Sequence, residues 1–341
     1  MISNIILKLM AKTAEERYQS ALGLKADLQQ CLTQFKATSH IAEFELGQVD
    51  ISSQFKIPQK LYGREQEIEL FLSTFEKVYN PVAQKPSKNA QMMLVAGYSG
   101  IGKSALVQEI YKPLTEKNGY FIAGKFDQFQ RNIPYSAVVN AFSDLVRQLL
   151  TESEQQLTQW QQKLRQALGT NGQIIIDVIP EVELIIGEQP PIPELAPTET
   201  QNRFKLVFQN FIGVFCQQSH PLVIFLDDLQ WADSATLALV ELIMTNAEMR
   251  HLFLIGAYRD NEVNPTHPLR VTLDKLQKIG HVINQINLGP LTIEHVSQLI
   301  ADTLHSELST IKPLAELVMQ KTGEIPSLLI NFSPRYTRRS Y

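Results

Sequence analysis

Cysteine is scarce in this sequence, whose 341 residues include only Cys31 and Cys216. The two lie far apart and have neither CxxC nor Cys/His spacing, which predicts buried, reduced thiols. Long apolar runs are also missing, since no stretch approaches the roughly 20 residues that a membrane-spanning helix needs. Residues 1–8 show no signal-peptide cleavage pattern. We therefore expect a cytoplasmic protein without a membrane anchor.

Neither sign of charge is in large excess. The chain has 31 Lys and Arg against 35 Asp and Glu, a net charge of −4, and its basic residues cluster only at the extreme C-terminus. Without a basic helix or a positive field, nucleic acid is disfavoured as a partner. The seven histidines show no metal-ligand spacing. With 44% hydrophobic residues the chain is able to bury a large core.

A phosphate-binding loop is the strongest motif that is present. The apolar run Met92–Ala96 precedes GYSGIGKS, and a helical pattern continues to Ile110. The glycines allow successive backbone N–H groups to face phosphate oxygens, and the helix adds the positive end of its dipole. In this arrangement Lys103 reaches the β- and γ-phosphates and Ser104 coordinates Mg²⁺. The predicted nucleotide contacts are Gly97, Tyr98, Ser99, Gly100, Ile101, Gly102, Lys103, Ser104 and Ala105. The alternative is a chance match in an ordinary glycine turn.

An acidic strand end supports that prediction. The apolar run Leu222–Leu226 leads directly into Asp227 and Asp228, as in a buried strand that delivers carboxylates to a metal. We predict that Asp227 holds Mg²⁺ through a water and that Asp228 orients or deprotonates the attacking water. Taken alone, the same residues also fit a strand that ends in a polar, solvent-exposed turn.

Alternating strands and helices predict the fold class. Further strands are expected at Tyr120–Gly124 and Leu252–Tyr258, which gives an α/β P-loop NTPase with a central parallel sheet, helices on both of its faces and a helical lid after it. Arg259 follows the last of these strands, where an arginine is able to sense the γ-phosphate. It also fits a surface ion pair with Asp260 or Glu262. For Trp231 and Asp233 we favour a packed aromatic and a helix cap over a catalytic role.

Composition divides the chain into five predicted segments. These are a helical segment at 1–36, a polar linker at 37–60, the nucleotide-binding core at 61–290, a helical lid at 291–330 and a tail at 331–341. Within the core, a helical insertion is expected at about 130–200. It contains a helix over Gln155–Gln162 and a proline-rich surface loop at Gln189–Pro193.

Several of these motifs together resemble a known family. LYGRE at 61–65, the phosphate loop, LDDLQWAD at 226–233 and GAYRDNEV at 256–263 are similar to the AAA-type, origin-recognition-like ATPase domain of signal-transducing NTPases, over about 60–330. More narrowly, GKFDQFQRNIPY at 124–135 resembles the ATPase segment of large bacterial hybrid proteins, in which a serine/threonine kinase comes first and sensor and histidine-kinase modules follow. In agreement, LKLMAKTAEERYQS at 7–20 looks like the last helices of a kinase C-lobe.

The resemblance implies a regulatory ATPase that uses ATP and Mg²⁺ and couples its nucleotide state to attached signalling domains, with nucleotide-dependent self-association as a further expectation. It also implies nucleotide contacts from Gly63, Arg64 and, in the lid, Pro326. The sequence departs from the family in the lid, where Thr322–Ser327 keeps only part of the usual pattern. The tail at 331–341 has no counterpart in the family, from which we expect a truncated or frame-shifted product. The kinase glycine-rich loop, HRD and DFG are absent, so this chain is not expected to phosphorylate protein.

Two functions remain open from the sequence. In the first, the chain is a slow, regulated ATPase in which Lys103, Asp228 and Arg259 act on the γ-phosphate. In the second, ATP or ADP is a ligand that gates a protein-interaction surface without turnover. We favour the first, with ATP or ADP and other signalling domains as partners.

Overall fold

The computed structural model describes residues 1–11, 17–48, 50, 58, 60–79, 90–129, 133–193, 196–304 and 306–322. Pro326 and the tail at 331–341 therefore lie outside the described residues. The chain divides into two compact units. The larger is Arg64–Pro290, and the smaller combines Met1–Gly63 with Leu291–Tyr341.

Fourteen α-helices and five strands are present among the described residues. In chain order the helices are α1 (Ile2–Leu9), α2 (Ala21–Thr38), α3 (Glu65–Tyr79), α4 (Lys103–Gln108), α5 (Tyr111–Glu116), α6 (Ser136–Leu149), α7 (Glu154–Leu168), α8 (Gly172–Ile176), α9 (Glu183–Ile186), α10 (Pro197–Phe215), α11 (Ser234–Thr245), α12 (Pro268–Lys278), α13 (Ile293–Leu304) and α14 (Leu308–Thr322). The strands are β1 (Gln91–Ala96), β2 (Tyr120–Lys125), β3 (Leu222–Asp227), β4 (Leu252–Tyr258) and β5 (Ile283–Asn287).

The five strands form one parallel sheet in the order β2-β3-β4-β1-β5. In the register, Lys125 lies opposite Asp227, Leu226 opposite Gly256, and Ala96 opposite both Tyr258 and Asn287. Because parallel strands end at the same edge, the residues that follow β1, β3 and β4 meet there. The predicted α/β P-loop NTPase class is confirmed, and β5 is an additional edge strand that the sequence analysis did not identify.

Both faces of the sheet are covered by helices. On one face, Met92 and Leu94 join a large core with residues from α6, α7, α10, α11 and α12, among them the fully buried Phe142 and Phe208. On the other face, the ring of Phe253 lies 5.7 Å from that of Phe71 in α3. Successive strand residues point to opposite faces, so the buried runs of β1 and β4 serve both layers.

The segment between β2 and β3 is helical over most of its described length. Helix α7 includes the helix predicted over Gln155–Gln162, and it begins with a capping box in which Ser153 and Gln156 satisfy each other's backbone N–H groups. After α9 the described residues run without helix or strand to Pro193, in agreement with the predicted proline-rich loop.

The smaller unit is built from α1, α2, α13 and α14. Tyr62 belongs to its core with Leu291, Val296 and Ala315, and the Tyr62 hydroxyl donates a 2.8 Å hydrogen bond to Asp302 in α13. Helix α2 begins at Ser20, whose hydroxyl accepts from the Gly23 N–H. None of the described helices has both the length and the apolar character needed to cross a membrane.

Candidate functional site

The loop between β1 and α4 requires glycine at several positions. Gly97, Gly100 and Gly102 have φ values of 150°, 78° and 103°, a region that side chains with a Cβ atom rarely adopt. A Cβ atom on Gly97 would also come within 2.8 Å of the Leu288 carbonyl oxygen. Residues 98–100 of the loop are exposed, with Tyr98 at 53% exposure, whereas Gly97 and Ile101 are buried.

Lys103 lies at the start of α4 and turns back into the loop. Its Nζ donates hydrogen bonds of 2.8 and 2.9 Å to the carbonyl oxygens of Gly97 and Tyr98. The residue is 8% exposed, and this burial lowers the pKa of its ammonium group, partly offset by the nearby Asp227 and Asp228 charges. An ammonium held by neutral carbonyls beside a glycine loop has the chemistry that phosphate oxygens require.

The helix after the loop ends two residues earlier than the sequence predicted. Helix α4 ends at Gln108, and a turn at Glu109 and Ile110 separates it from α5, whereas the sequence pattern continued to Ile110. The turn is stabilised by the Glu109 and Ile110 N–H groups, which donate to Leu106 and Val107 carbonyls.

Ser104 and Asp227 come together from distant parts of the sequence. The Ser104 hydroxyl donates a long hydrogen bond of 3.5 Å to Oδ2 of Asp227, the last residue of β3. Burial raises the pKa of the Asp227 carboxyl, and the neighbouring Asp228 charge adds to this. Among the described residues no group of three or more His, Cys, Asp or Glu could hold a metal. Two oxygen ligands fit Mg²⁺, which commonly takes its remaining ligands from water and phosphates.

Asp228 is buried at 5% exposure, which does not fit a polar turn in solvent. Its backbone is left-handed, with φ 55° and ψ 43°, and directs the side chain into a group of donors. The Gln230 amide donates to Oδ1 at 2.8 Å, Arg259 Nε lies 3.4 Å from Oδ1, and Lys125 Nζ lies 3.5 Å from Oδ2. The carboxylate thus faces two cations and one amide.

Arg259 forms an ion pair with Glu262, one of the two partners predicted for a surface ion pair, and it also contacts residues inside the site. Its Nη1 lies 2.9 Å from Glu262 Oε1, while its Nε faces Asp228. The guanidinium also lies 4.8 Å from the centre of the Trp231 ring, and the Trp231 indole donates to Glu262 at 3.1 Å. Arg259 is therefore shared between two carboxylates and stacked on an aromatic ring.

The other predicted residues are placed less centrally. Asp233 caps α11 by accepting from the Thr236 N–H at 2.8 Å, which confirms the capping prediction. Arg64 is buried, and its described partners are the Gly289 carbonyl and Glu67. Gly63 belongs to the smaller unit and lies against the His295 ring. Their nucleotide contacts remain predictions.

Lys125 and Gln230 both contact Asp228, and neither was predicted from the sequence to belong to the site. Lys125 ends β2 opposite Asp227, and Gln230 follows the acidic pair by two positions. For Lys125, the available signal was its position at the end of a strand that precedes the acidic strand.

Comparisons with known proteins identify relatives that are much longer than this chain. Hybrid signal transduction histidine kinase G of Dictyostelium discoideum is 29% identical over 405 aligned residues, which cover 94% of this chain and 11% of that protein. Peroxide stress-activated histidine kinase mak3 of Schizosaccharomyces pombe is 27% identical over 54% of this chain and 9% of its own length. The chain thus spans about a tenth of the length of these two relatives. Both are named as histidine kinases, and the bacterial serine/threonine-kinase context remains a prediction.

Solved structures with a similar fold include Cdc6p from Pyrobaculum aerophilum, with 13% identity and a TM-score of 0.43 over 78% of this chain and 57% of that one. ORC1 from Aeropyrum pernix, solved in complex with DNA, has 15% identity and a TM-score of 0.41 over 80% of this chain and 59% of that one. The protein-family model described as AAA ATPase domain matches residues 60–255, more than half of the chain. The chain therefore belongs to the AAA ATPase domain family, whose members bind nucleotides.

Proposed function

We propose that this chain binds ATP with Mg²⁺ and hydrolyses it slowly, as a regulatory domain of a larger signalling protein. The observation that carries this proposal is the meeting of Lys103, Ser104, Asp227 and Asp228 at one edge of the parallel sheet. A nucleotide-binding loop alone would also fit a protein that binds ATP without hydrolysing it. A second acidic residue beside the metal-binding aspartate adds a group that is able to act on water.

The phosphate loop and Lys103 bind the phosphates of the nucleotide. The loop N–H groups surround the phosphates, and Lys103 exchanges the Gly97 and Tyr98 carbonyls for phosphate oxygens. Ser104 and Asp227, whose oxygens lie 3.5 Å apart, would hold Mg²⁺, Ser104 directly and Asp227 through a water. When bound, Mg²⁺ neutralises charge on the phosphate oxygens.

Asp228 orients the attacking water and accepts its proton. In the arrangement described, its carboxylate is already engaged by Gln230, Arg259 and Lys125. Each of these contacts occupies a carboxylate oxygen that an attacking water would otherwise bond to. Arg259 has to leave Asp228 or Glu262 to reach a γ-phosphate, so recognition of the third phosphate and release of Asp228 are linked. Slow, regulated turnover follows from that competition.

The signalling role rests on the relatives. Both histidine kinases reported above are about ten times longer than the part that this chain matches, which supports a domain that acts on attached modules. We propose the domain boundaries predicted from the sequence, with α13 and α14 in a helical lid at 291–330 and with 1–36 as the end of a kinase C-lobe. Nucleotide-dependent self-association and coupling to serine/threonine-kinase and sensor modules belong to the same proposal.

A second candidate is a nucleotide-gated interaction domain without turnover. The ion pairs around Asp228 favour it, since a carboxylate that keeps these partners would not activate water. Turnover of Mg-ATP by the purified chain distinguishes the two candidates, with nucleotide binding measured in parallel.

The comparison should include Asp228→Asn and, as a matched control, Asp144→Asn, since Asp144 is an exposed aspartate on α6. Turnover that is lost in Asp228→Asn, retained in the control and accompanied by normal binding supports the ATPase. A wild-type chain that binds ATP without turning it over supports the second candidate. Failure of the wild type to bind ATP would contradict both.

A further inference from the structure

Gln230 is a buried polar residue whose side-chain nitrogen and oxygen both have hydrogen-bond partners. It is 2% exposed and lies in the short 3-10 turn Leu229–Trp231 that follows Asp228. Its Nε2 donates to Asp228 Oδ1 at 2.8 Å, and its Oε1 accepts from the Arg259 backbone N–H at 3.1 Å. Its own carbonyl oxygen lies 3.1 Å from Nε2 of His267, the residue that caps α12.

These partners fix the orientation of the amide. The Asp228 carboxylate accepts only, so it requires the NH₂ group of Gln230, and the Arg259 N–H requires its oxygen. A side chain that both donates and accepts is needed to satisfy the two partners at once. Because the amide is shielded from water, either bond would be costly to leave unmade.

The two bonds join the carboxyl ends of neighbouring strands. Asp228 follows β3 and Arg259 follows β4, and the sheet ladder between these strands extends to Leu226 and Gly256. Beyond that point the Gln230 side chain continues the connection between them. It therefore relates the position of the residue that orients water to that of the residue that senses the third phosphate.

This inference rests on the proposed function. We propose that Gln230 is a positioning residue whose amide couples Asp228 to Arg259, so that contact of Arg259 with the γ-phosphate and alignment of Asp228 occur together. The donor bond sets the orientation of Asp228. The acceptor bond sets the position of the Arg259 backbone. Loss of the donor bond and loss of the acceptor bond therefore have different expected effects, and substitutions at Gln230 are able to distinguish them.

Two variants separate the two bonds. Gln230→Leu removes both of them, whereas Gln230→Glu keeps an acceptor for the Arg259 N–H and turns a carboxylate toward Asp228. The matched control is Gln209→Leu, because Gln209 is another buried glutamine, on α10. For each variant we would measure the affinities for ATP and ADP with Mg²⁺, the kcat and KM of ATP turnover, and the thermal unfolding midpoint.

In Gln230→Leu we expect unchanged ADP affinity, loss of the preference for ATP, and a fall in kcat of about tenfold to a hundredfold, as for other residues that orient a catalytic group. Gln230→Glu should keep the preference for ATP while its kcat falls and its KM for ATP changes little. In Gln230→Leu the KM for ATP should rise in step with the lost ATP affinity, because KM follows Kd when turnover is slow. Gln209→Leu should resemble the wild type in all of these measurements apart from the unfolding midpoint. A variant that only lost its overall structure would show lower affinity for ADP as well as lower affinity for ATP and lower kcat.

The proposal is overturned if the wild type prefers ATP and Gln230→Leu keeps both that preference and its kcat within twofold. It is also overturned if Gln230→Glu loses the preference to the same extent as Gln230→Leu. If the wild type binds ATP and ADP equally, sensing by Arg259 fails and the coupling through Gln230 fails with it. If the wild type prefers ATP but has no turnover, hydrolysis is excluded from the proposed function, and the two affinity ratios decide the role of Gln230.

Discussion

Ser104 Oγ lies 3.5 Å from Asp227 Oδ2, although 123 positions separate the two residues in the sequence. The contact arises because β3 and β1 each pair with β4, so the residues that follow them share one edge of the sheet. Neither oxygen would be a good metal ligand alone. Side by side they are placed to hold Mg²⁺, Ser104 directly and Asp227 through a water, with the remaining positions left to water and phosphate.

Replacement of Lys103 by alanine is expected to weaken ATP binding by about 10- to 100-fold, because a hydrogen bond to a charged group contributes about 1.5–3 kcal/mol. Equilibrium binding of ATP to the purified variant checks this. Lys112→Ala removes an exposed lysine of α5 and is the matched control. ATP affinity in Lys103→Ala close to that of the wild type would refute the assignment of the loop as a phosphate site.

Substitution of Asp227 by asparagine should raise the Mg²⁺ concentration required for ATP binding by about tenfold, since a neutral amide holds a metal-bound water less firmly than a carboxylate does. The measurement is ATP affinity as a function of Mg²⁺ concentration. Binding in the absence of Mg²⁺ should change little. An identical Mg²⁺ dependence in Asp227→Asn and in the exposed control Asp144→Asn would remove Asp227 from the metal site.

For Arg259, alanine substitution should bring the affinities for ATP and ADP close together. The guanidinium contacts Asp228 and stacks on Trp231, so it lies within the site and is able to respond to the third phosphate. Affinities for both nucleotides give the result directly, and Arg250→Ala, an exposed arginine before β4, provides the control. An unaltered difference between the two nucleotides would favour a purely structural ion pair with Glu262.

Much of the sheet and the central residues of the site could be predicted from the sequence. Strands β1, β3 and β4 are buried on both faces and read as continuous apolar runs, and a phosphate loop or an acidic pair follows two of them. The edge strand β5 could not be recognised in this way. Its sequence, INQIN, has two apolar residues three positions apart, which is neither an alternating pattern nor a continuous apolar run, and only Ile286 is buried.

The contacts within the site depend on tertiary register, which a single sequence does not reveal. Lys125 meets Asp228 because β2 pairs with β3 so that Lys125 lies opposite Asp227. Gln230 reaches Arg259 because the turn after β3 folds toward the end of β4. Similarly, the pattern after the phosphate loop predicted a helix to Ile110, but the helix ends at Gln108 and the backbone turns at Glu109 before α5.

Substitution of Asp233 tests whether this residue has only a structural role, as the N-cap of α11. Its Oδ1 accepts from the Thr236 N–H at 2.8 Å, and its Oδ2 accepts from the Thr236 hydroxyl at 2.5 Å and from the Tyr135 N–H at 3.3 Å. Asp233→Ala should lower the free energy of unfolding by about 1–2 kcal/mol, measured by urea denaturation, and Asp233→Asn by about half as much or less, since asparagine also caps helices.

Nucleotide affinity and turnover of folded Asp233→Ala should match those of the wild type. Its side chain binds backbone and hydroxyl groups at the starts of α11 and α6, and none of the residues assigned to phosphate or metal. Turnover lost at unchanged stability would contradict this and place Asp233 among the functional residues. Asp233→Asn adds a second criterion. It keeps the cap while removing the charge, so a catalytic role would abolish its turnover and a capping role would leave turnover intact.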